Sequence, residues 1–193
     1  MKRLLAAASL LAAFATPVWP QQQGNPAGAA PGTETRPGMP SPTQPNVVDR
    51  NFARAAAAGG LAEVELGRLA DKKSKSSETR QFGQRMVDDH SKANSHLKEL
   101  AAAANIPLPD APDAEEQAMQ ERLDKAEGDA FDRDYIRGQI TAHQETVQLF
   151  EQEIGSGQDT RLKNFASQTL PVIMQHLEMA QRVNARLTGA AAR

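Results

Sequence analysis

The chain has 193 residues, room for one domain of about 140 residues and a tail, since domains typically run ~100–200 residues. Hydrophobic residues make up 39% and aromatics only 4%, so a core must be assembled from Ala, Leu, Val and Ile, a mix that favours packed helices over sheet. The 22 basic and 24 acidic side chains leave a formal charge of −2, without the basic footprint of a nucleic-acid partner, and the absence of Cys excludes disulfides, thiolate metal sites and a cysteine nucleophile.

Met1-Lys2-Arg3 is followed by the apolar run Leu4 to Ala15, and Ala13-Phe14-Ala15 places small residues where a signal peptidase reads them. Residues 1–15 are therefore expected to be a signal peptide; the run is short of the ~20 residues a bilayer span needs, and a retained membrane anchor is the alternative. No second apolar run of that length follows, so no stable membrane span is expected after processing, and the mature protein is placed in the periplasm or outside the cell. Loss of Lys2 and Arg3 takes the formal charge from −2 to −4. Residues 16–46 hold eight of the twelve prolines among Gln, Gly and Ser, too little apolar surface to offset the entropy of ordering, and are predicted to be a disordered tether. Trp19 falls in it and is not expected in the core.

From Val47 onward the hydrophobic pattern has a helical period. The first helix, about 47–70, aligns Phe52, Ala56, Gly59, Leu66 and Ala70. The second, about 77–104, aligns Phe82, Met86, Ala93, Leu97, Leu100 and Ala104. A link from Asn105 to Asp129 contains Pro107, Pro109 and Pro112 and a short helical piece over 114–126. The next long helix, about 130–154, gathers Ile136, Ile140, Val147, Phe150 and Ile154, and the last, about 160–187, gathers Leu162, Phe165, Ile173, Ala180, Val183 and Leu187. Ser74 to Ser77 and Gly155-Ser156-Gly157 mark short turns, Asp159 is placed to cap the last helix, and Pro171 lies on an outward face where it bends a helix rather than stopping it. Two hairpins joined by a link that runs the length of the bundle define an all-α, ferritin-like four-helix bundle with a long crossover carrying a short extra helix, over residues 47–188 with a tail at 189–193. A shift of 83 residues lays Phe52 on Tyr135 and Phe82 on Phe165, a weak internal repeat that suits two similar halves.

Polar residues break the inward stripes. Glu63 falls in the middle of the first stripe while Glu65 points away, His143 centres the third, His176 lies near the centre of the fourth, and His90 and Asp89 occupy opposite edges of the second. A buried charge or imidazole must be hydrogen-bonded, paired or metal-bound. Either Glu63, His90, His143 and His176 converge on one transition metal ion, which such donors would hold as Zn, Cu, Ni or Fe, or Glu63 and His143 form a buried pair with the other two histidines at the margins. Counting about 1.5 Å per residue puts Glu63 level with His143 and His90 and His176 roughly a turn to either side, which favours the pair. His96 is expected at the surface, Glu115, Glu116 and Glu121 on the wet side of the crossover helix, and Gly59-Gly60 at a close helix approach.

Four blocks, FARAAAAGGLAEVELGRL at 52–69, FGQRMVDDH at 82–90, FDRDYIRGQITAHQETVQLF at 131–150 and LKNFASQTLPVIMQHLEMA at 162–180, closely resemble the exported bacterial family catalogued as domain of unknown function 4142. The resemblance spans about 47–187 and implies a ferritin-like fold in the bacterial envelope, with no established activity. A di-iron site of the ferritin type needs Glu-x-x-His on two helices. The residues three before His90 and His176 are Val87 and Ile173, so a di-iron centre is not expected. The expected protein is thus a binding or stress-related envelope protein with a mononuclear metal site and an envelope partner or a second copy of itself; the alternatives are a mononuclear metalloenzyme in oxidant defence and a purely structural bundle.

Overall fold

The structure is a computed structural model that describes residues 45–189; among them are five α-helices and no strand. The expected signal peptide, most of the expected tether, and the last four residues of the tail lie outside the described residues.

Each helix starts where its local chemistry allows. In α1 (Val47–Lys73) Asn46 and Asp49 form a reciprocal capping box, and Lys72 and Lys73 complement the dipole at the far end. Thus Pro45, which is buried, and Asn46 belong to the start of the bundle rather than to the tether. In α2 (Ser77–Ala103) the Ser76 side chain accepts from Thr79 N. That helix closes with Asn105 at φ 55, a conformation Asn tolerates, and the Ile106 N–H donating back to Ala101 O at 2.8 Å tucks Ile106 into the core. A second capping box, Asp113 with Glu116, opens α3 (Ala114–Lys125). Gly128, at φ 57, turns the chain into α4 (Gly128–Ser156), and Asp159 caps α5 (Thr160–Leu187), which continues through the exposed Pro171.

Side-chain bridges between helix ends fix the directions. Asn46, before α1, donates to Ser156 O at the end of α4 at 3.0 Å, and Ser74, after α1, donates to Asp132 at the start of α4. Arg186 near the end of α5 pairs with Glu78 in the first turn of α2. Hence α1 packs antiparallel to α2 and α4, and α5 antiparallel to α4 and α2. Because α2 ends at the opposite end of the bundle from where α4 begins, the crossover must travel its length, and α3 does so against α1 and α4. This is the ferritin-like arrangement.

Burial removes apolar area from water at ~25 cal/mol per Å² and accumulates in two separate clusters. One holds Phe52, Leu97, Phe150, Leu162, Phe165 and Ile173, with Phe52 and Phe150 edge-on at 4.9 Å. The other holds Leu66, Phe82, Met86, Phe131, Tyr135 and Ile136. Phe52 and Tyr135 lie in different clusters, as do Phe82 and Phe165, which is where two hairpins related by a two-fold across the axis would put them. At the α1–α2 contact the backbones of Gly67 and Gly83 meet so closely that a Cβ on Gly67 would lie 2.6 Å from Gly83 O.

One face differs from the stripe expected from the sequence. Ile140, Val147 and Ile154 are only half-buried, and α4 instead turns Asp132, Gln139, His143 and Glu153 inward beside Phe131, Tyr135, Ile136 and Phe150. A stripe drawn through apolar residues alone is therefore rotated from the true one, because half of this buried face is polar.

Candidate metal centre

Between the two apolar clusters each long helix contributes one or more polar side chains: Glu63 from α1, His90 from α2, Gln139 and His143 from α4 and His176 from α5. All are buried, His143 and His176 to 1% exposure and Glu63 to 7%. The ring centroids of His90, His143 and His176 stand 5.5–5.9 Å apart, and one ring nitrogen from each lies within 4.8 Å of the others. The count that set His90 and His176 a turn to either side of His143 is thus corrected; an error of a turn is what unequal starting heights of four helices introduce. Glu63 stands beside rather than within the triad, its Oε1 3.8 Å from His143 Nδ1.

The hydrogen bonds assign the tautomers. His143 Nδ1 lies 2.9 Å from Gln139 O, and since a carbonyl only accepts, Nδ1 carries the proton and Nε2 keeps a lone pair. His176 Nε2 lies 3.0 Å from Asp89 Oδ2, so its proton sits there and Nδ1 keeps the lone pair. Those two nitrogens, together with His90 Nε2, are buried with no hydrogen-bond partner. An unpaired buried polar atom costs ~1–3 kcal/mol, and three such atoms together call for an explanation. Burial lowers all three imidazoles, His90 to about 3 and His143 and His176 to about 4, with their mutual repulsion adding to the effect at His90 and His176. Neutral rings with free lone pairs are the form that binds metal, and a second nitrogen held by a carboxylate or a backbone carbonyl is how ligating histidines are ordinarily oriented. Three atoms no more than 4.8 Å apart share a point within about 2.8 Å of each, so movements of about 0.7 Å bring them to the ~2.0–2.1 Å of a Zn–N bond.

Glu63 is raised to about 7, by burial first, with the Gln139 side chain opposing. Near it, burial pushes Tyr135 well above its ordinary value. A cavity of about 690 Å³ reaches this layer and is lined by Glu63 and the three histidines at one part and by α3 at another. His96 is exposed and rests edge-on against Phe165, as expected. Gly60 is pressed against Asn94 of α2 and Gly59 faces Glu116 of α3, so Glu116, expected on the wet side, is instead half-buried over the cavity, while Glu115 and Glu121 are exposed.

Gln139 and the pairing of His176 with Asp89 are not apparent from the stripes. The available signal for Gln139 is its spacing, one turn from His143 and one turn from Tyr135 on the same face. No local pattern connects Asp89 with His176, which are 87 residues apart.

Fold and site together define a ferritin-like helical bundle whose central layer is a histidine triad. The family described as Domain of unknown function (DUF4142) matches residues 34–183, and the chain belongs to it. Among solved structures, the chain resembles a DUF305 fragment from Deinococcus radiodurans, with 12% identity and a TM-score of 0.66 over 74% of this chain and 99% of that one. It likewise resembles a DUF305 protein from Streptomyces coelicolor described as secreted, with 13% identity and a TM-score of 0.64 over 73% and 92% of the two chains. CopM in its Cu(II)-bound form matches with 14% identity and a TM-score of 0.62 over 72% and 96%. No curated protein matches the sequence. At these identities the structural neighbours share the fold.

Proposed function

We propose that the protein is an exported bundle that holds one transition metal ion at His90, His143 and His176 and works by binding rather than turnover. The observation that carries this reading is the meeting of three buried histidines, each with a ring nitrogen within 4.8 Å of the others and each with a buried ring nitrogen that has no hydrogen-bond partner. Imidazole donors suit Zn, Cu, Ni and Fe, with Cu(II) strongest in the divalent order. That CopM, of the same fold, is known in Cu(II)-bound and Ag-bound forms supports a metal role for the bundle. The ion would supply a positive centre to an otherwise unsatisfied layer; Asp89 and the Gln139 carbonyl orient two of the rings, and Glu63 places a carboxylate beside His143. Export rests on residues 1–15 and would be tested by N-terminal sequencing of the protein from the cell envelope.

Elemental analysis of the mature protein, purified without a His-tag and offered Zn, Cu, Ni and Fe in turn, tests the metal. One equivalent that disappears on His143→Ala and raises the melting temperature of the parent supports the reading; well under one equivalent of every metal sinks it.

The cavity meeting the triad favours a second reading, a mononuclear metalloenzyme in oxidant defence. Peroxide or superoxide turnover by the loaded protein that is lost on His90→Ala would establish it. A bundle that binds no metal and only loses stability on the same substitutions would be purely structural.

A further inference from the structure

The cavity that reaches the histidine layer exists because two helix faces lack bulk. Ala55, Ala56, Gly59 and Gly60 on α1 and Gly138 and Ala142 on α4 line it, and α3 covers the gap: Met119 Cε occupies the place of a side chain at Gly138, 1.8 Å from where a Cβ would stand. Its charged lining is mostly acidic. Asp113, Glu115 and Glu116 come from the start of α3 and Glu145 from α4, opposed by Arg122, while Asp134 and Arg137 pair with each other at 3.5 Å.

A capping preference accounts for acidic residues in the first turn of α3. It does not account for Glu145, which lies in the interior of α4, nor for the inner part of the same cavity, where Glu63 Oε2, His90 Nε2 and His143 Nε2 are buried without partners. Glu116 is raised mainly by burial, and the carboxylates of Asp113, Glu63 and Glu115 add to the effect, so these acidic groups lie close enough to repel one another. A low-dielectric cleft lined by one sign of charge focuses its field and speeds the arrival of a counter-ion.

We propose that the cavity beneath α3 is the route by which a hydrated divalent cation reaches the histidine layer, drawn in by Glu115, Glu116 and Glu145. The proposal deepens the metal-binding reading and rests on it. It assigns these three residues to capture, while the imidazoles retain the ion.

Stopped-flow mixing of the metal-free mature protein with Co²⁺, followed by the visible absorption of the bound ion, separates the two. The parent should bind faster at low salt than at high salt. A Glu115→Gln, Glu116→Gln, Glu145→Gln triple variant should bind about tenfold more slowly at low salt, converge with the parent at high salt, and keep its stoichiometry and final spectrum. Glutamine at 116 preserves the capping box, and Glu145→Lys, a single change on an exposed face, provides a second test should the triple variant unfold. A parent rate in both variants at every salt concentration overturns the route, as does a deficit of the same size at all salt concentrations. If the parent takes up neither Co²⁺ nor any of Zn, Cu, Ni and Fe, the metal site itself fails and the route with it; if it binds with intact stoichiometry but without these rate effects, only the route fails.

Discussion

The apolar clusters and the polar layer between them obey opposite rules. In the cluster around Phe52, Phe150 and Phe165 every contact is satisfied by burial alone, whereas in the layer of Glu63, His90, His143 and His176 burial leaves nitrogens and an oxygen unpaired. The first kind of region is stabilised by folding, and the second is carried by it. A bundle that interrupts its core with three neutral imidazoles gives up stability that Leu or Met at those positions would supply, and regains it when something occupies the lone pairs.

The sharpest contrast comes from the apolar side. Phe52→Ala removes a ring packed on both Phe150 and Phe165 and should cost ~3–5 kcal/mol, read by chemical denaturation. A loss below ~1 kcal/mol would mean that this cluster is not the cohesive region described here.

Next in size is a buried carboxyl at one end of the bundle. Glu153 is fully buried near Gly157, beside Asp49, whose carboxylate accepts from the N–H groups of Asn46, Gln158 and Asp159. Burial first, then Asp49, raise Glu153 from 4.5 to about 8. A raised carboxyl binds its proton more tightly in the folded state, so its stabilisation is complete below 4.5 and is lost as the pH climbs towards 8. Stability should fall by roughly 2–4 kcal/mol across that window, and Glu153→Gln, neutral at every pH, should flatten the profile. An unchanged slope in the variant would show that another group sets it.

In the polar layer the expected sign reverses. His143→Leu should leave the metal-free protein as stable as the parent or up to ~2 kcal/mol more so, because it removes an unpaired nitrogen without opening a void. The same variant should lose the rise in melting temperature that saturating metal gives the parent, worth ~2.7 kcal/mol at a hundredfold excess over Kd. Strong destabilisation of the metal-free form would place His143 in the structural class with Phe52. The smallest effect belongs to the surface: breaking the exposed Glu178–Arg182 pair with Glu178→Gln should change stability by less than ~0.5 kcal/mol.

Much of this was legible in the residues. The period of Phe82, Met86, Leu97 and Ala104, the cap at Asp159 and the proline-rich link after Asn105 define the helices and the crossover to within a few residues, because caps and periodicity are local properties of the chain. Local pattern also shows that Glu63, His143 and His176 face inward. It does not show which polar groups meet, because one residue of axial offset moves a side chain by about 1.5 Å and four offsets accumulate. The meeting of three rings from α2, α4 and α5, the hold of Asp89 on His176 across 87 residues, and the cavity under α3 were decided by the packing of the bundle, since each depends on heights and rotations that only neighbouring helices impose.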